Sequence, residues 1–336
     1  MNWSFGKIWN ESLEQGRPER ELRPRNRMWA SELGGGYLDR YMKMKGIKPT
    51  NPPNPRSMRK FEAGNMMEWI VGLILKRAGI LVDNQEWLSY QYPSLLEVTG
   101  RFDFLAGGKP DMEKAKKLFQ FFELPEFFGR AMESIINHLN EKYPNGLDKT
   151  ILEIKSCSSF MMERYEKTGV DIKHALQSFH YLKAKNMPEA KVVYISKDDL
   201  LLLECDVKNP SDIERIYKED IERMTHYVLS NEEPPKEKLI LFDESSCKFS
   251  SNWKVSYSNY LTMIYGFQNQ KEYDDRYKPM VSSFNRVLKR LVDDKKITDK
   301  NLSVMIEIKK EFNDFDSILK TAKSNKELLT DLEEGD

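Results

Sequence analysis

The chain has 336 residues, 40% of them hydrophobic and 11% aromatic, enough to bury the core of one large domain or two modest ones. Its 53 Lys and Arg are balanced by 53 Asp and Glu, so no global basic charge marks a nucleic-acid partner. Any such partner must meet a local patch.

Residues 1–60 hold 13 Lys or Arg against 6 Asp or Glu, and no apolar run that would serve as a signal peptide. Arg17, Arg20, Arg23, Arg25 and Arg27 fall within one short stretch, and arginine forks suit phosphate oxygens. With Pro18 and Pro24 interspersed, the same stretch also reads as a solvated arm. Proline-rich residues 46–57 form a surface loop or linker. Apolar spacing then predicts a helix over Phe61 to Ala78, closed by Gly79. Its most apolar part, Trp69 to Leu75, is too short to span a membrane. Leu95 to Leu105 and Thr150 to Lys155 read as strands, and residues 109–145 between them as helical. A helix is predicted over Asp171 to Lys185, stopped before Pro188. Lys191 to Ser196 and Leu200 to Val207 form a hairpin around Lys197-Asp198-Asp199. Residues 211–229 are helical, Glu232 to Pro235 is a break, and residues 271–336 read as a charged helical tail. Three widely spaced cysteines (Cys157, Cys205, Cys247), odd in number, argue against a disulfide framework, and a soluble, reduced, cytoplasmic protein is expected. Strands mixed with helices, without internal repeats, indicate an α/β class with a central sheet.

Four elements carry chemistry. In Thr150-Ile151-Leu152-Glu153-Ile154-Lys155, alternation puts Leu152 and Ile154 on one face of a strand and Glu153 and Lys155 on the other. A carboxylate beside an ammonium is what phosphodiester hydrolysis needs: one holds a divalent cation, the other orients water or offsets developing charge. Acidic-x-Lys also occurs at Asp171-Ile172-Lys173, Glu189-Ala190-Lys191 and Glu307-Ile308-Lys309, but only Glu153 follows a carboxylate-bearing strand. That strand carries Asp103 between Phe102 and Phe104, with Gly100 permitting close approach; Asp103 also reads as a hairpin-end residue before Gly107-Gly108. On the first helix, Glu68 lies one turn from Gly64 and from Gly72, where a carboxylate wants a partner or a metal. On the later helix, Gln177 and Tyr181 are four apart and share a face.

In order, Gly64 to Glu68, Gly100 to Asp103, Glu153 to Lys155, and Gln177 to Tyr181 resemble the RecB-type branch of the PD-(D/E)XK nucleases, which includes CRISPR-associated and phage exonucleases. The resemblance covers about residues 60–207. It implies a restriction-endonuclease-like core, a mixed central sheet flanked by helices, here with a helical insertion at about 109–145 and a helical C-terminal tail. Residues 1–60 would be a basic segment packing on or leading into the core, 61–270 the nuclease domain and 271–336 the tail. The implied metal ligands are Glu68, Asp103, Glu153 and the Ile154 carbonyl; Lys155 is the catalytic lysine, and Gln177 and Tyr181 position the site. Oxygen donors throughout favour Mg²⁺ or Mn²⁺. Arg23, Arg25, Arg27 and Arg101 would contact DNA. Some relatives carry an iron–sulfur cluster on four cysteines; with three cysteines here, no cluster is expected. The insertion's Phe119, Phe121, Phe122, Phe127 and Phe128 would either stack bases or pack as its own core. The expected activity is a metal-dependent DNA nuclease, an exonuclease above all, acting on ends or single strands in repair, recombination or phage DNA processing. The alternatives are a catalytically silent DNA-binding module and a scaffold docking a helicase or recombination partner through the tail.

Overall fold

The computed structural model describes residues 4–15, 22–119, 126–208, 211–244 and 246–329. The chain forms two compact units. The first comprises Met1–Gly35, Arg40–Ile47 and Pro53–Glu233, and the second Gly36–Asp39, Lys48–Pro52 and Pro234–Asp336.

In chain order, α1 (Phe5–Gln15), β1 (Arg27–Trp29) and α2 (Tyr37–Met44) precede α3 (Pro55–Arg77). α3 begins earlier than the apolar spacing predicts. The Asn54 side chain accepts the Ser57 amide hydrogen, and Pro55 sits in the first turn, where its missing N–H leaves nothing unpaired. β2 (Leu81–Asn84) and β3 (Trp87–Tyr90) follow, two strands that the sequence reading left out. The single strand predicted over Leu95 to Leu105 is instead two, β4 (Glu97–Arg101) and β5 (Phe104–Gly108), lying in different sheets. The break falls at Phe102-Asp103, where Phe102 is fully buried and Asp103 turns its carboxylate onto a neighbouring strand. α4 (Met112–Phe119) and α5 (Glu126–Lys142) occupy the predicted helical insertion. Residues 120–125, and the side chains of the insertion's five phenylalanines, lie outside the described part, so their expected packing or stacking does too.

β6 (Leu147–Cys157), α6 (Ser159–Thr168), α7 (Ile172–Lys185), β7 (Glu189–Ser196), β8 (Leu202–Lys208) and α8 (Ser211–Ser230) complete the first unit. A five-stranded sheet runs β2-β5-β6-β7-β8. β6 and β7 pair parallel and the other neighbours antiparallel, with α6 and α7 supplying the crossover that a parallel pair requires. A three-stranded sheet runs β1-β4-β3. On one face of the larger sheet, Leu152 and Ile154 pack with Phe104, Val193, Ile195 and Leu75 of α3. Burying each such aliphatic side chain contributes about 1.5–3 kcal/mol. α7 is capped at both ends, by the Asp171 carboxylate on the Lys173 amide and by Asn186 in the left-handed conformation. It buries Leu176, Phe179, Tyr181 and Leu182. The unit is therefore mixed α/β, with mixed sheets flanked by helices.

Among the described residues, the second unit holds an antiparallel pair, β9 (Ile240–Asp243) and β10 (Lys248–Ser251), and five α-helices. These are α9 (Trp253–Ser256), α10 (Leu261–Tyr265), α11 (Gln270–Val292), α12 (Asp299–Glu311) and α13 (Phe315–Ser324). Phe249, Tyr273, Phe284, Leu288, Ile308 and Phe315 are central to its core. The described residues beyond 270 are helical and share this core with β9 and β10, in a unit whose longest segment begins at Pro234. The charged helix faces dominate the composition there and hide an apolar stripe of regular spacing. No helix among the described residues is long and apolar enough to cross a membrane.

Candidate active site

β6 is the origin of the site. Its pairing with β5 ends at Phe104↔Leu152, so the β6 edge beyond Leu152 is open on that side. Asp103 fills it: its Oδ2 accepts the Ile154 amide hydrogen at 2.7 Å. A residue's N–H and C=O point to the same edge of a strand, so the Ile154 carbonyl faces the Asp103 side too.

Glu153 lies on the opposite face from Leu152 and Ile154, toward α7. It is 1% exposed. Its Oε1 accepts from Lys155 Nζ at 2.5 Å and from Gln177 Nε2 at 2.6 Å. The same Gln177 nitrogen lies 3.1 Å from the Tyr181 hydroxyl, which donates to the Arg101 carbonyl at 3.0 Å. Tyr181 reaches this position because residue 100 is glycine. A Cβ on Gly100 would stand 3.0 Å from the Tyr181 ring and 2.6 Å from the Ala30 Cβ. Glu68, on α3, accepts a hydrogen bond from the Gln85 side chain. Gln85 sits in a left-handed turn between β2 and β3, and its own amide donates to the carbonyls of Phe102 and Asp103. Of the glycines beside Glu68, Gly64 lies against Ser156 and Gly72 against the Phe104 ring, letting α3 approach the sheet, and Glu68 and Gly72 also line a cavity of about 360 Å³.

The electrostatics bind these groups into one cluster. Burial, then the Asp103 charge, pushes the Glu153 carboxyl up to about 8. Asp103 and Glu68 are also raised, each chiefly by burial, while Lys155 and Arg101 pull both down. Burial works against the Lys155 ammonium, but Glu153 and Asp103 outweigh it and hold its pKa above the ordinary value. Burial and the neighbouring Glu153 raise the Tyr181 phenol. All six side chains that the sequence places in the site, Glu68, Asp103, Glu153, Lys155, Gln177 and Tyr181, therefore meet through hydrogen bonds or mutual charge.

Among the described residues, no three His, Cys, Asp or Glu side chains stand close enough to cage an ion as they are. Glu68 is drawn to Gln85, Asp103 to a backbone amide, and Glu153 to Lys155 and Gln177. Glu153 Oε2 is buried and has no hydrogen-bond partner. An unpaired buried carboxylate oxygen is costly and calls for an explanation.

The arginines divide. Arg101 is exposed, stands over the Trp87 ring at 5.7 Å, and carries its charge to the carboxylates. Arg25 is not a free phosphate fork: it pairs with Glu32 at 2.5 Å and leans on Trp29. Arg27 is exposed and also stands over Trp29, at 5.5 Å. Arg23 is exposed, and Arg17 and Arg20 lie outside the described residues. Sequence reasoning missed Gln85, Trp29 and Trp87. Nothing in the spacing around Gln85 marks it, because its role depends on a turn between two unpredicted strands. Both tryptophans lie in short strands whose alternation is too brief to read.

No family model and no curated protein matches the sequence. Among solved structures, the crystal structure of SSO0001 aligns with a TM-score of 0.44 at 12% identity, covering 79% of this chain and 98% of that one. The crystal structure of an alkaline exonuclease (LHK-Exo) from Laribacter hongkongensis aligns with a TM-score of 0.32 at 10% identity, covering 68% of this chain and 94% of that one.

Proposed function

We propose that the chain is a metal-dependent nuclease of the PD-(D/E)XK kind, hydrolysing phosphodiester bonds in DNA. The observation that carries this reading is the asymmetry of Glu153. Lys155 and Gln177 both engage Oε1, and Oε2 stays buried without a partner beside the Asp103 charge. A buried carboxyl oxygen without a partner, grouped with two further carboxyl groups, fits a hard divalent cation, Mg²⁺ or Mn²⁺, whose charge would hold them ionised. Glu153, Asp103 and the Ile154 carbonyl would hold it, and Glu68 would join by leaving Gln85. When bound, the cation supplies an acidified water and neutralises charge at the scissile phosphate.

The chain's own groups do the rest. Gln177 fixes Glu153 and ties it to Tyr181, so the carboxylate has one orientation. Lys155 keeps its proton and presents an ammonium to the attacking water or to a phosphate oxygen. Arg101 lies at the mouth of the site, where a guanidinium meets the backbone of an incoming strand.

End-labelled linear and circular DNA, incubated with Mg²⁺, Mn²⁺ or EDTA, tests the reading. Metal-dependent cleavage that Asp103→Ala abolishes is expected, with linear DNA alone degraded if the enzyme works from ends. Binding without cleavage in any metal would replace it with the silent DNA-binding module.

A further inference from the structure

Beside the carboxylates lies a cleft of about 320 Å³, lined by Trp29, Trp87, Gly100, Arg101, Gln177 and Tyr181. Its floor is the three-stranded sheet. β1 pairs Trp29 with Thr99, and β3 pairs Trp87 with Arg101. Alternation therefore puts Arg27, Trp29, Thr99, Arg101 and Trp87 on one face, while Met28 and Val98 enter the core behind them. The two indole rings are 5.5 Å apart at 49°. Guanidinium groups stand over both, Arg25 and Arg27 over Trp29 and Arg101 over Trp87. Even so, Trp87 remains 58% exposed.

Single exposed apolar side chains are ordinary and need no explanation. This one differs in three respects. It is paired with a second tryptophan, it is bracketed by cations, and the cleft that holds it is walled by Gln177 and Tyr181, which lead by hydrogen bonds to Glu153. An aromatic face offered to solvent next to guanidinium groups matches a nucleotide whose base is unpaired: the base stacks and the phosphates meet arginine. Bases within a duplex are stacked on one another and offer no face.

We infer that Trp87, backed by Trp29, is a stacking subsite for an unpaired base of a DNA strand, so that the site takes single-stranded DNA or a frayed end. The inference rests on the nuclease reading for the identity of the neighbouring groups, but its test does not use cleavage. Binding is measured in EDTA by fluorescence anisotropy, with labelled oligothymidylate, the same backbone lacking bases, and a blunt duplex. Trp87→Ala is compared with Trp87→Phe, and their melting curves with that of the wild type. Trp87→Ala is expected to weaken oligothymidylate binding about tenfold, the scale of one lost stacking contact. Trp87→Phe should retain most of the affinity, and binding of the abasic strand and the duplex should not change. Unaltered oligothymidylate binding by Trp87→Ala, or an equal loss on the abasic strand, would overturn the subsite. Trp87-dependent strand binding in a protein that cleaves nothing in Mg²⁺ or Mn²⁺ would instead defeat the nuclease reading and leave the subsite standing.

Discussion

Glu153 is the residue on which the chemistry turns, because its two oxygens have unlike surroundings. Replacing it with the isosteric Gln removes the buried ionisable group and keeps the shape. Glu153→Gln is expected to melt at or above the wild-type temperature without metal, since a buried carboxylate is relieved. In Mg²⁺ or Mn²⁺, wild-type stability should rise, by about 2.7 kcal/mol at a hundredfold excess over Kd, and the variant's should not. Thermal melts across a metal titration check both statements. His180 gives a second expectation at this scale. It is fully buried against the Tyr217 hydroxyl and the Leu88 carbonyl, and burial lowers its pKa from 6.5 to about 4. Between those values the unfolded chain binds more protons than the folded one. The His180 contribution to stability is therefore complete above pH 6.5 and falls as the pH drops toward 4, by about 3 kcal/mol in full. Urea midpoints across that range should show a steeper slope for the wild type than for His180→Gln.

Among the elements, β4 and α7 fix the site by how closely they meet. Gly100→Ala places a methyl group 2.6 Å from the Ala30 Cβ and 3.0 Å from the Tyr181 ring. Displacing Tyr181 and the hydrogen bonds it shares with Gln177 and Arg101 is expected to cost about 1–3 kcal/mol of stability. It should also slow cleavage; full activity with unchanged stability would show that the contact has slack. The elements legible in the sequence are those long enough to show a period: α3, α7, α8, β6 and the β7–β8 hairpin all lie near their predicted places. β1, β2, β3, β9 and β10 are three or four residues long, and alternation over that span does not stand out from chance. The Leu95 to Leu105 run conceals a change of sheet, since the pattern of apolar residues passes through Phe102 and Phe104 unbroken while the backbone does not. The residues of the candidate site were more legible than the strands around them. Each is a polar group at a fixed offset within a periodic segment, and spacing of that kind survives errors at element ends.

At the scale of the molecule, the first unit is tied together by a buried ion pair spanning distant parts of the sequence. Arg40 donates from both terminal nitrogens to the Asp220 carboxylate, at 2.7 and 2.8 Å, and the residues are 2% and 6% exposed. Removing one partner strands the other's charge in the interior, so Asp220→Ala is expected to destabilise the fold by about 3–5 kcal/mol, read from the denaturant midpoint. The second unit has a core of its own, and the charged composition of its helices concealed that core from the sequence reading. Lys155→Ala tests the first unit's chemistry most directly. Single-turnover cleavage of labelled single-stranded DNA in Mg²⁺ is compared between the variant and the wild type, after matched melting curves establish that both fold. A rate at least about a hundredfold lower in the variant is expected, the scale of losing one positioned charge stabiliser. Equal rates in the two proteins, or cleavage that persists in EDTA, would contradict the assignment.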